Sequence, residues 1–506
     1  MLGQFINSSI VERQNYPVAN RRQVSRPTRL PLASPRPIGK NPLYASQTDV
    51  FRKSRLSFSG NSHSSQASQN LPNAPLTDSH QALIEAFNIP YQIMVLTKQQ
   101  AWPGLAPVRA AKALQNAPFV AVGDAHASAL KILETLVLAN MVTMPVDKAK
   151  AFIEQYHQLT DPNLSISEFR KKDKALREII QSIEWTGNGR QLLLIGDTLS
   201  DRGPSDPLVM KLVSHLRFQL PGCILEVASN HNENVLNEFV CRILQGNWKV
   251  GRCIKKTDKN SLNKTIEAYL NSTNLESWKL ILNRYAEHSE NYDLLKRKGD
   301  TLFTHAPIDN DDLDNLHRIL PHNERLERPS QITEPAKAYQ FMQAANDFYR
   351  RYHQEAFELF SLAFQKRNEA QNQQFTEQRD QFLKKWQQIQ AVFHKTDDDG
   401  FLWSKNNFYF LRDEVKERFP FYKVGIRNLV HGHTNETVTE SPFSLYERER
   451  KKKISKNTGN SETEPECTII GLDQEVRKDL SRDRWIAQKP DRVYPSYEQS
   501  KIFAIF

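Results

Sequence analysis

Asp, Asn and His recur where short apolar runs end in this 506-residue chain. The run LLLIGDTLSDRG (residues 192–203) leads into Asp197, and Asp201 and Arg202 follow closely. Four other runs end in the same residue types, and the side chains concerned are Asp124, His126, Asn230, His231, His305 and His433. A single Asp after a strand is usually a turn or a helix cap. Five such ends are a stronger signal, because ligands bind beyond the carboxyl ends of the strands in open α/β sheets.

These residue types favour a metal centre. Carboxylates, imidazoles and one amide, without a thiolate, suit two divalent cations, with Mn²⁺ expected first and Fe or Zn²⁺ as alternatives. We expect Asp197 to bridge the two ions. The other expected ligands are Asp124 and His126 for the first ion, and Asn230, His305 and His433 for the second. Two metals ~3.5–4 Å apart lower the pKa of a shared water and clamp the oxygens of an in-line displacement.

Three neighbouring side chains predict the rest of the chemistry. Arg202 lies close in sequence to Asp197, so its guanidinium can grip phosphoryl oxygens bidentately. His231 can protonate the leaving oxygen, and Asp201 can hold that imidazole in its tautomer. His431, in the same run as His433, is expected to be structural.

The elements that must position these residues are predicted to be strands that alternate with helices. The apolar runs are FVAVGD (119–124), LLLIGD (192–197), CILEVASNH (223–231), TLFTHAP (301–307), NLVHGHT (428–434), CTIIGLD (467–473) and KIFAIF (501–506). Runs this short and apolar suit strands that are covered on both faces. The alternation with helical patterns predicts an α/β architecture.

The chain divides into a tail and one domain with insertions. Residues 1–78 are rich in Ser, Asn, Gln, Pro and Arg, which predicts a disordered tail. Residues 79–506 form the predicted domain, with a helical insertion at 146–190 and a helical hairpin at 336–395. Apolar side chains follow helical spacing at Phe341, Ala345, Phe348, Tyr352, Phe360, Phe375, Phe382, Trp386, Ile389 and Phe393. This stripe predicts core packing, with a partner-docking face as the alternative.

Composition limits the classes of function. The net charge of +10 and the pI of about 9.2 favour acidic or phosphorylated partners. They do not indicate DNA binding, since the positive charge is scattered. No apolar run approaches the ~20 residues that span a membrane, and the N-terminus lacks the apolar core of a cleaved signal peptide, so a soluble protein is expected. The four cysteines lack CxxC spacing, which argues against a disulfide framework and a Cys-ligated zinc site.

The ordered motifs GDxH…GDx(2–3)DRG…NH…H…GH resemble the calcineurin-like metallophosphoesterases, and within them the phosphoprotein phosphatase family. The segment FLWS (401–404) resembles this family's LWSDP stretch, and the likeness covers roughly residues 115–506. The resemblance implies a β-sandwich flanked by helices (αββα), the metal ligands given above, an acid pair formed by Asp201 and His231, and phosphate binding by Arg202. A second arginine follows the LWS segment in that family, and Arg412 is the candidate here.

The chain departs from this family at three points. Ala127 stands where the family usually has Gly, and Ser229 replaces a glycine in SNHNE. The spacing from Asp197 to Asp201 is one residue longer than in GDxxDRG. The last departure bears on the pairing of Asp201 with His231.

Two features favour a phosphomonoesterase acting on proteins. Arg202, the arginine of the DRG motif, can bind the free oxygens of a terminal phosphoryl group. The final motif is GHTN, with Asn435 where many nucleases and diesterases of the superfamily have a second histidine. The hairpin, GDTLSDRG and the Ser/Asn-rich tail resemble the Wip-type (WipA-like) effector phosphatases, which intracellular bacterial pathogens inject into host cells. This implies a protein secreted into the host cytosol without a cleaved signal peptide.

The resemblance implies a phosphoprotein phosphatase in which a hydroxide bridging two metals attacks in line. We expect phosphotyrosine to be preferred over phosphoserine or phosphothreonine, because a phenolate (pKa ≈ 10) leaves more easily than an alkoxide. Two alternatives stay open. One is a dimetal hydrolase of small phosphate compounds such as dinucleoside polyphosphates. The other is a scaffold that acts through the 336–395 hairpin, which is also a candidate for homodimer formation or protein docking.

Overall fold

The computed structural model describes residues 75–98, 101–161, 163–245, 260–270, 275–365, 373–393, 400–402, 418–433, 468–472 and 499–505. Several predictions fall outside these residues. They concern Arg412, Asn435, the last two residues of FLWS and the tail before residue 75.

The described residues contain thirteen β-strands. They are β1 (Gln92–Leu96), β2 (Ala101–Leu105), β3 (Phe119–Val122), β4 (Val142–Thr143), β5 (Glu184–Trp185), β6 (Gln191–Leu194), β7 (Ile224–Val227), β8 (Tyr292–Asp293), β9 (Lys296–Lys298), β10 (Thr301–Thr304), β11 (Asn428–His431), β12 (Thr468–Gly471) and β13 (Gln499–Ile505). All seven apolar runs predicted as strands form strands, namely β3, β6, β7, β10, β11, β12 and β13.

The same residues contain twelve α-helices. They are α1 (Asp78–Phe87), α2 (Pro107–Leu114), α3 (Ala129–Leu138), α4 (Val146–Leu159), α5 (Ile166–Ile180), α6 (Asp206–Gln219), α7 (Asn230–Phe239), α8 (Asn260–Thr265), α9 (Leu275–Ser289), α10 (Asn310–Ile319), α11 (Pro335–Gln365) and α12 (Gln373–Phe393). The segment 146–190 thus holds α4 and α5, and 336–395 holds α11 and α12. Helices α7 and α8 each continue into a π-helical turn.

The larger sheet has seven strands in the order β2-β1-β13-β3-β6-β7-β8. Strands β3, β6, β7 and β8 run parallel, so their carboxyl ends lie at one edge of the sheet. Strand β13 lies between β1 and β3, parallel to the first and antiparallel to the second.

The smaller sheet has the order β12-β11-β10-β9, and β10, β11 and β12 are parallel. The two sheets share one buried apolar cluster, which consists of Phe119, Ala121, Leu193, Ile195, Val227, Phe303, Val430, Ile470 and Leu472. The rings of Phe119 and Phe303 are 5.3 Å apart between centroids. Their neighbours along the strands, such as Val120 and Leu302, belong to a second cluster that includes the helices. The fold is therefore a mixed α/β structure in which two sheets pack together and helices cover their outer faces.

The hairpin formed by α11 and α12 is part of this core. Tyr352 stacks on Phe382 with ring centroids 6.0 Å apart, and Tyr349 lies 5.7 Å from Phe393, which is an antiparallel pairing. Most of the predicted stripe is buried, including Phe341, Ala345, Phe348, Tyr352, Phe360, Phe382, Ile389 and Phe393. Most of the stripe therefore packs within the chain, as its helical spacing predicted.

Two smaller expectations concern membranes and cysteines. None of the described helices combines the length and the apolar character needed to cross a membrane. Cys241 takes part in a disulfide bond, which the absence of CxxC spacing did not predict, because a disulfide depends on proximity in space. Cys223 is a free thiol, and its burial raises its pKa to about 11.

Candidate active site

The structure brings the predicted polar residues to the adjoining carboxyl ends of the two sheets. Asp124 and Asp197 follow β3 and β6, and Asn230 is the first residue of α7 after β7. His305 and His433 follow β10 and β11 of the smaller sheet. Parallel pairing within each sheet places these ends side by side, which is why their order along the chain predicted a common site.

Ser229 explains how α7 begins directly at the site. Its hydroxyl accepts a hydrogen bond from the backbone N–H of Asn232, and the Asn232 side chain accepts one from the Ser229 N–H. This reciprocal cap satisfies two donors at the helix start. Ser229 therefore fixes where Asn230 and His231 begin the helix.

The loops that carry the site hold unusual backbone conformations. His126, Ala127, Asp197, Ser200 and His433 all have positive φ, between 50° and 67°. A residue with a side chain in this region is strained by about 1–3 kcal/mol, and such residues cluster at active sites. The surrounding packing therefore holds these five residues in a geometry that the local sequence does not favour.

One buried ligand group consists of Asp124, His126 and Asp197, whose ligand atoms all lie within 4.8 Å of one another. Asp197 Oδ1 is buried and accepts no hydrogen bond within the part of the chain that the structure describes. A buried carboxylate oxygen without a donor is costly unless a cation balances it. The group can therefore bind a metal ion.

The neighbouring residues offer a second set of ligand atoms. His305 Nε2 lies 3.4 Å from Asp197 Oδ1 and 2.7 Å from Asn230 Oδ1, and the His305 and His433 rings are 5.0 Å apart. His305 Nδ1 can donate to the carbonyl of Ile195 at 3.1 Å, which leaves the lone pair on Nε2. Two acceptor atoms, Nε2 and the amide oxygen, then face each other, and a cation that both can ligate would relieve their repulsion.

His231 lies beside Asp197 and is oriented by the backbone. Its Nδ1 donates to the Ser200 carbonyl at 2.7 Å, so Nε2 points to the carboxylates, 3.8 Å from Asp197 Oδ2 and 3.9 Å from Asp201 Oδ2. Burial lowers the pKa of His231, but the charges of Asp197 and Asp201 outweigh it and raise the pKa to about 9. The two carboxylates thus favour the protonated form of the imidazole.

Asp201 is closer to His126 than to His231. Its Oδ2 lies 2.5 Å from His126 Nδ1, and its Oδ1 accepts from the Arg202 backbone N–H at 2.7 Å. Burial opposes ionisation, but His231, His126 and Arg202 hold the pKa of Asp201 well below its usual range. The Arg202 side chain is 30% exposed, and its Nε lies 3.5 Å from Asp201 Oδ1, so the guanidinium sits at the rim of the site.

His431, which the sequence predicts to be structural, makes a local hydrogen bond. Its Nδ1 donates to the Gly432 carbonyl at 2.8 Å, and burial lowers its pKa to about 4. The ring is therefore neutral and its hydrogen bond is local.

Sequence reasoning missed the buried residues that support the site. Glu226 accepts a hydrogen bond from Thr198, the residue after Asp197, and lies 3.0 Å from His288 and 3.3 Å from Arg217. Burial raises its pKa, yet His288 and Arg217 outweigh this and leave the pKa of Glu226 below its ordinary value. Glu226 is the only acid inside the apolar run CILEVASNH, and this could have identified it from the sequence.

Glu233 is a second missed support. It lies on α7 one turn beyond Asn230 and is fully buried. Its Oε1 lies 3.0 Å from His353 Nε2 on α11, and its Oε2 accepts from Gln390 on α12 at 2.8 Å. Both hairpin helices therefore hold the helix that starts at the site.

Fold and site together define a mixed α/β protein with a buried Asp/His centre that can bind metal. A family model described as "WipA-like, phosphatase domain" matches residues 191–448, just over half of the chain. The chain belongs to this family and is a phosphatase. The matched stretch includes Asp197, Asn230, His305 and His433 and begins after Asp124 and His126.

The other comparisons add little. Among solved structures, the phosphatase domain of the Legionella effector WipB is similar to this chain with 20% identity and a TM-score of 0.37, covering 47% of this chain and 81% of that one. A likeness at this level supports no functional conclusion. Among curated proteins, none matches this chain.

Proposed function

We propose that this chain is a metal-dependent phosphoprotein phosphatase of the calcineurin-like class, and that it hydrolyses phosphomonoesters as a secreted bacterial effector. The observation that carries the proposal is the position of Asp197. It belongs to the ligand group with Asp124 and His126, and it also lies 3.4 Å from His305, which contacts Asn230. In this position, the Asp197 carboxylate could serve as a ligand to both ions.

The side chains fit two divalent cations, with Mn²⁺ as the first choice and Fe or Zn²⁺ as alternatives. Asp124, His126 and Asp197 would hold one ion, and Asn230, His305 and His433 would join Asp197 at the other. When bound, the ions would supply a Lewis acid for the phosphoryl oxygens and a water that ionises near neutral pH.

The remaining residues act on the substrate. Arg202 lies at the rim, where its guanidinium can bind phosphoryl oxygens bidentately. His231 is the general acid. Its Nδ1 is held by the Ser200 carbonyl, so Nε2 is the nitrogen that faces the site and can pass a proton to the leaving oxygen.

The test of this function is hydrolysis of p-nitrophenyl phosphate by the full chain with added Mn²⁺. Turnover should be lost with EDTA and should fall at least ~100-fold in Asp197→Asn and in His231→Ala, because one removes a shared ligand and the other the acid. His215→Ala is the matched control, since His215 bonds the Ile183 carbonyl outside the site. A wild type that is inactive with Mn²⁺, Fe²⁺ and Zn²⁺ would contradict the proposal.

For the substrate class, we propose phosphotyrosine in host proteins. A phenolate depends less on its acid than an alkoxide does, and the Asp201 carboxylate is 3.9 Å from His231 rather than in hydrogen-bond contact with it. Phosphotyrosine peptides should show the higher kcat/KM beside matched phosphoserine peptides and dinucleoside polyphosphates. Comparable kcat/KM on phosphoserine would remove the tyrosine preference. A higher value on dinucleotides would replace the protein substrate.

A further inference from the structure

The loop after Asp197 gives His126 and His231 different hydrogen-bond partners. Asp201 Oδ2 lies 2.5 Å from His126 Nδ1 and 3.9 Å from His231 Nε2. His231 uses its other nitrogen, Nδ1, to bond the Ser200 carbonyl at 2.7 Å. The carboxylate therefore contacts a candidate metal ligand, whereas a backbone carbonyl contacts the candidate acid.

The backbone of Ser200 is held so that its carbonyl can accept the hydrogen bond from His231 Nδ1. Its φ is +58°, in the left-handed region, and its N–H donates to the buried Asp206 Oδ1 at 2.9 Å. Asp206 in turn accepts from the Tyr285 hydroxyl at 2.6 Å. The orientation of His231 is thus set by a buried backbone anchor and needs no contribution from Asp201.

Hydrogen bonds also hold Asp201 so that its carboxylate faces His126. Its N–H donates to Ser261 Oγ at 3.0 Å, and its carbonyl accepts from the Ser261 N–H at 2.9 Å. Its Oδ1 accepts from the Arg202 N–H, so Oδ2 is the oxygen that contacts the imidazole. The residue is 1% exposed and therefore has little room to turn toward His231.

We propose that Asp201 is a positioning residue of the metal centre, which acts through His126, and that the Ser200 carbonyl positions His231. The inference rests on the proposed function, since it assigns Asp201 to the metal rather than to the acid. A carboxylate bonded to a histidine near a metal fixes the ring orientation and raises its basicity. Loss of such a partner typically weakens metal binding by 10–100-fold.

The test compares Asp201→Asn with His231→Gln in the full chain. Mn²⁺ binding is measured without substrate by calorimetry, and kcat is measured on aryl phosphates whose leaving groups differ in pKa. Asp201→Asn should raise the Mn²⁺ Kd by about 10–100-fold. At saturating Mn²⁺, its kcat should depend on the leaving-group pKa as the wild-type kcat does. His231→Gln should keep the Mn²⁺ Kd within about 3-fold and make kcat fall steeply with leaving-group pKa.

The melting temperature in EDTA checks that each variant folds. If Asp201→Asn does not fold, Asp201→Glu replaces it, because it keeps a carboxylate but shifts it from its contact with His126 Nδ1. It should weaken Mn²⁺ binding in the same direction by a smaller factor. The inference would be overturned if Asp201→Asn kept the Mn²⁺ affinity of the wild type and showed the same steep dependence of kcat on leaving-group pKa as His231→Gln. A wild type that binds none of Mn²⁺, Fe²⁺ and Zn²⁺ would overturn the proposed function as well.

Discussion

At the scale of single residues, Gly432 shows how closely the candidate ligands pack. A Cβ atom there would lie 2.0 Å from Asp124 Oδ1 and 3.0 Å from the Ile195 carbonyl oxygen. Gly432→Ala would therefore push Asp124 out of the ligand group. We expect Mn²⁺ binding by calorimetry and turnover of aryl phosphates each to fall at least ~100-fold, the scale of losing a group essential to catalysis.

Gly189→Ala is the control for the Gly432 variant. Gly189 has a φ of +70°, and a Cβ there would meet nothing within 4 Å. The new side chain would cost about 1–2 kcal/mol of folding free energy through backbone strain alone. Gly189→Ala should therefore lower the melting temperature and keep turnover. Equal losses of turnover in both glycine variants would show that stability, rather than the ligands, is the cause.

The residues of the site differ in how well the sequence predicted them. The ligand candidates could be found because each follows an apolar run, and parallel strands bring such positions together. The partner of Asp201 could not be found, because it depends on the conformation of a loop with one extra residue. Glu226 and Glu233 were missed because a supporting carboxylate has no motif of its own.

At the scale of elements, short apolar runs were enough to locate β3, β6, β7, β10, β11, β12 and β13. Strands β1 and β2 were missed, since β2 is the sequence AWPGL, whose Pro and Gly weaken a strand pattern, and the other partner of β1 is residues 499–503, far along the chain. Strands β8 and β9 have only two and three residues, and β9 is the charged sequence KRK at a sheet edge. Such short strands form only where a neighbouring strand supplies the hydrogen bonds.

The α11–α12 hairpin supports the site through Glu233, and this gives an element-scale prediction. His353→Ala would leave the Glu233 carboxylate with one partner fewer in a buried position. Removing one hydrogen-bond partner of a buried polar group costs about 1–3 kcal/mol, and here the loss falls on the helix that begins with Asn230 and His231. We expect a lower melting temperature and at least a ~10-fold loss of kcat on aryl phosphates with saturating Mn²⁺.

Lys385→Ala is the matched hairpin control. Lys385 lies on α12 and pairs with Glu355 of α11 at the surface, where an ion pair contributes little. Its variant should keep both melting temperature and kcat. If His353→Ala kept kcat at saturating Mn²⁺, the hairpin would stabilise the fold without positioning the site.

At the scale of the whole molecule, α1 marks where the packed structure begins among the described residues. Leu83, Ile84 and Phe87 are buried, and His80 Nε2 lies 2.6 Å from the Val137 carbonyl. Burying such apolar side chains contributes about 1.5–3 kcal/mol each. A chain that starts at residue 75 should therefore keep its melting temperature and its turnover of aryl phosphates.

A chain that starts at residue 91 is the comparison, because it lacks α1 and keeps β1. It should melt well below the chain that starts at residue 75, as measured by circular dichroism. Equal melting temperatures would mean that α1 adds nothing to the fold. Loss of turnover in the chain that starts at residue 75 would place part of the function in the first 74 residues.

Strand β13 has a consequence for the timing of folding. It lies at the middle of the larger sheet, pairing with β1 on one side and β3 on the other, and it is the last of the sheet's strands to be synthesised. Until residue 505 has left the ribosome, none of the other described strands joins β1 and β2 to β3, β6 and β7. A nascent chain stalled before residue 499 therefore holds two separate half-sheets with open edges, rather than a smaller version of the finished protein.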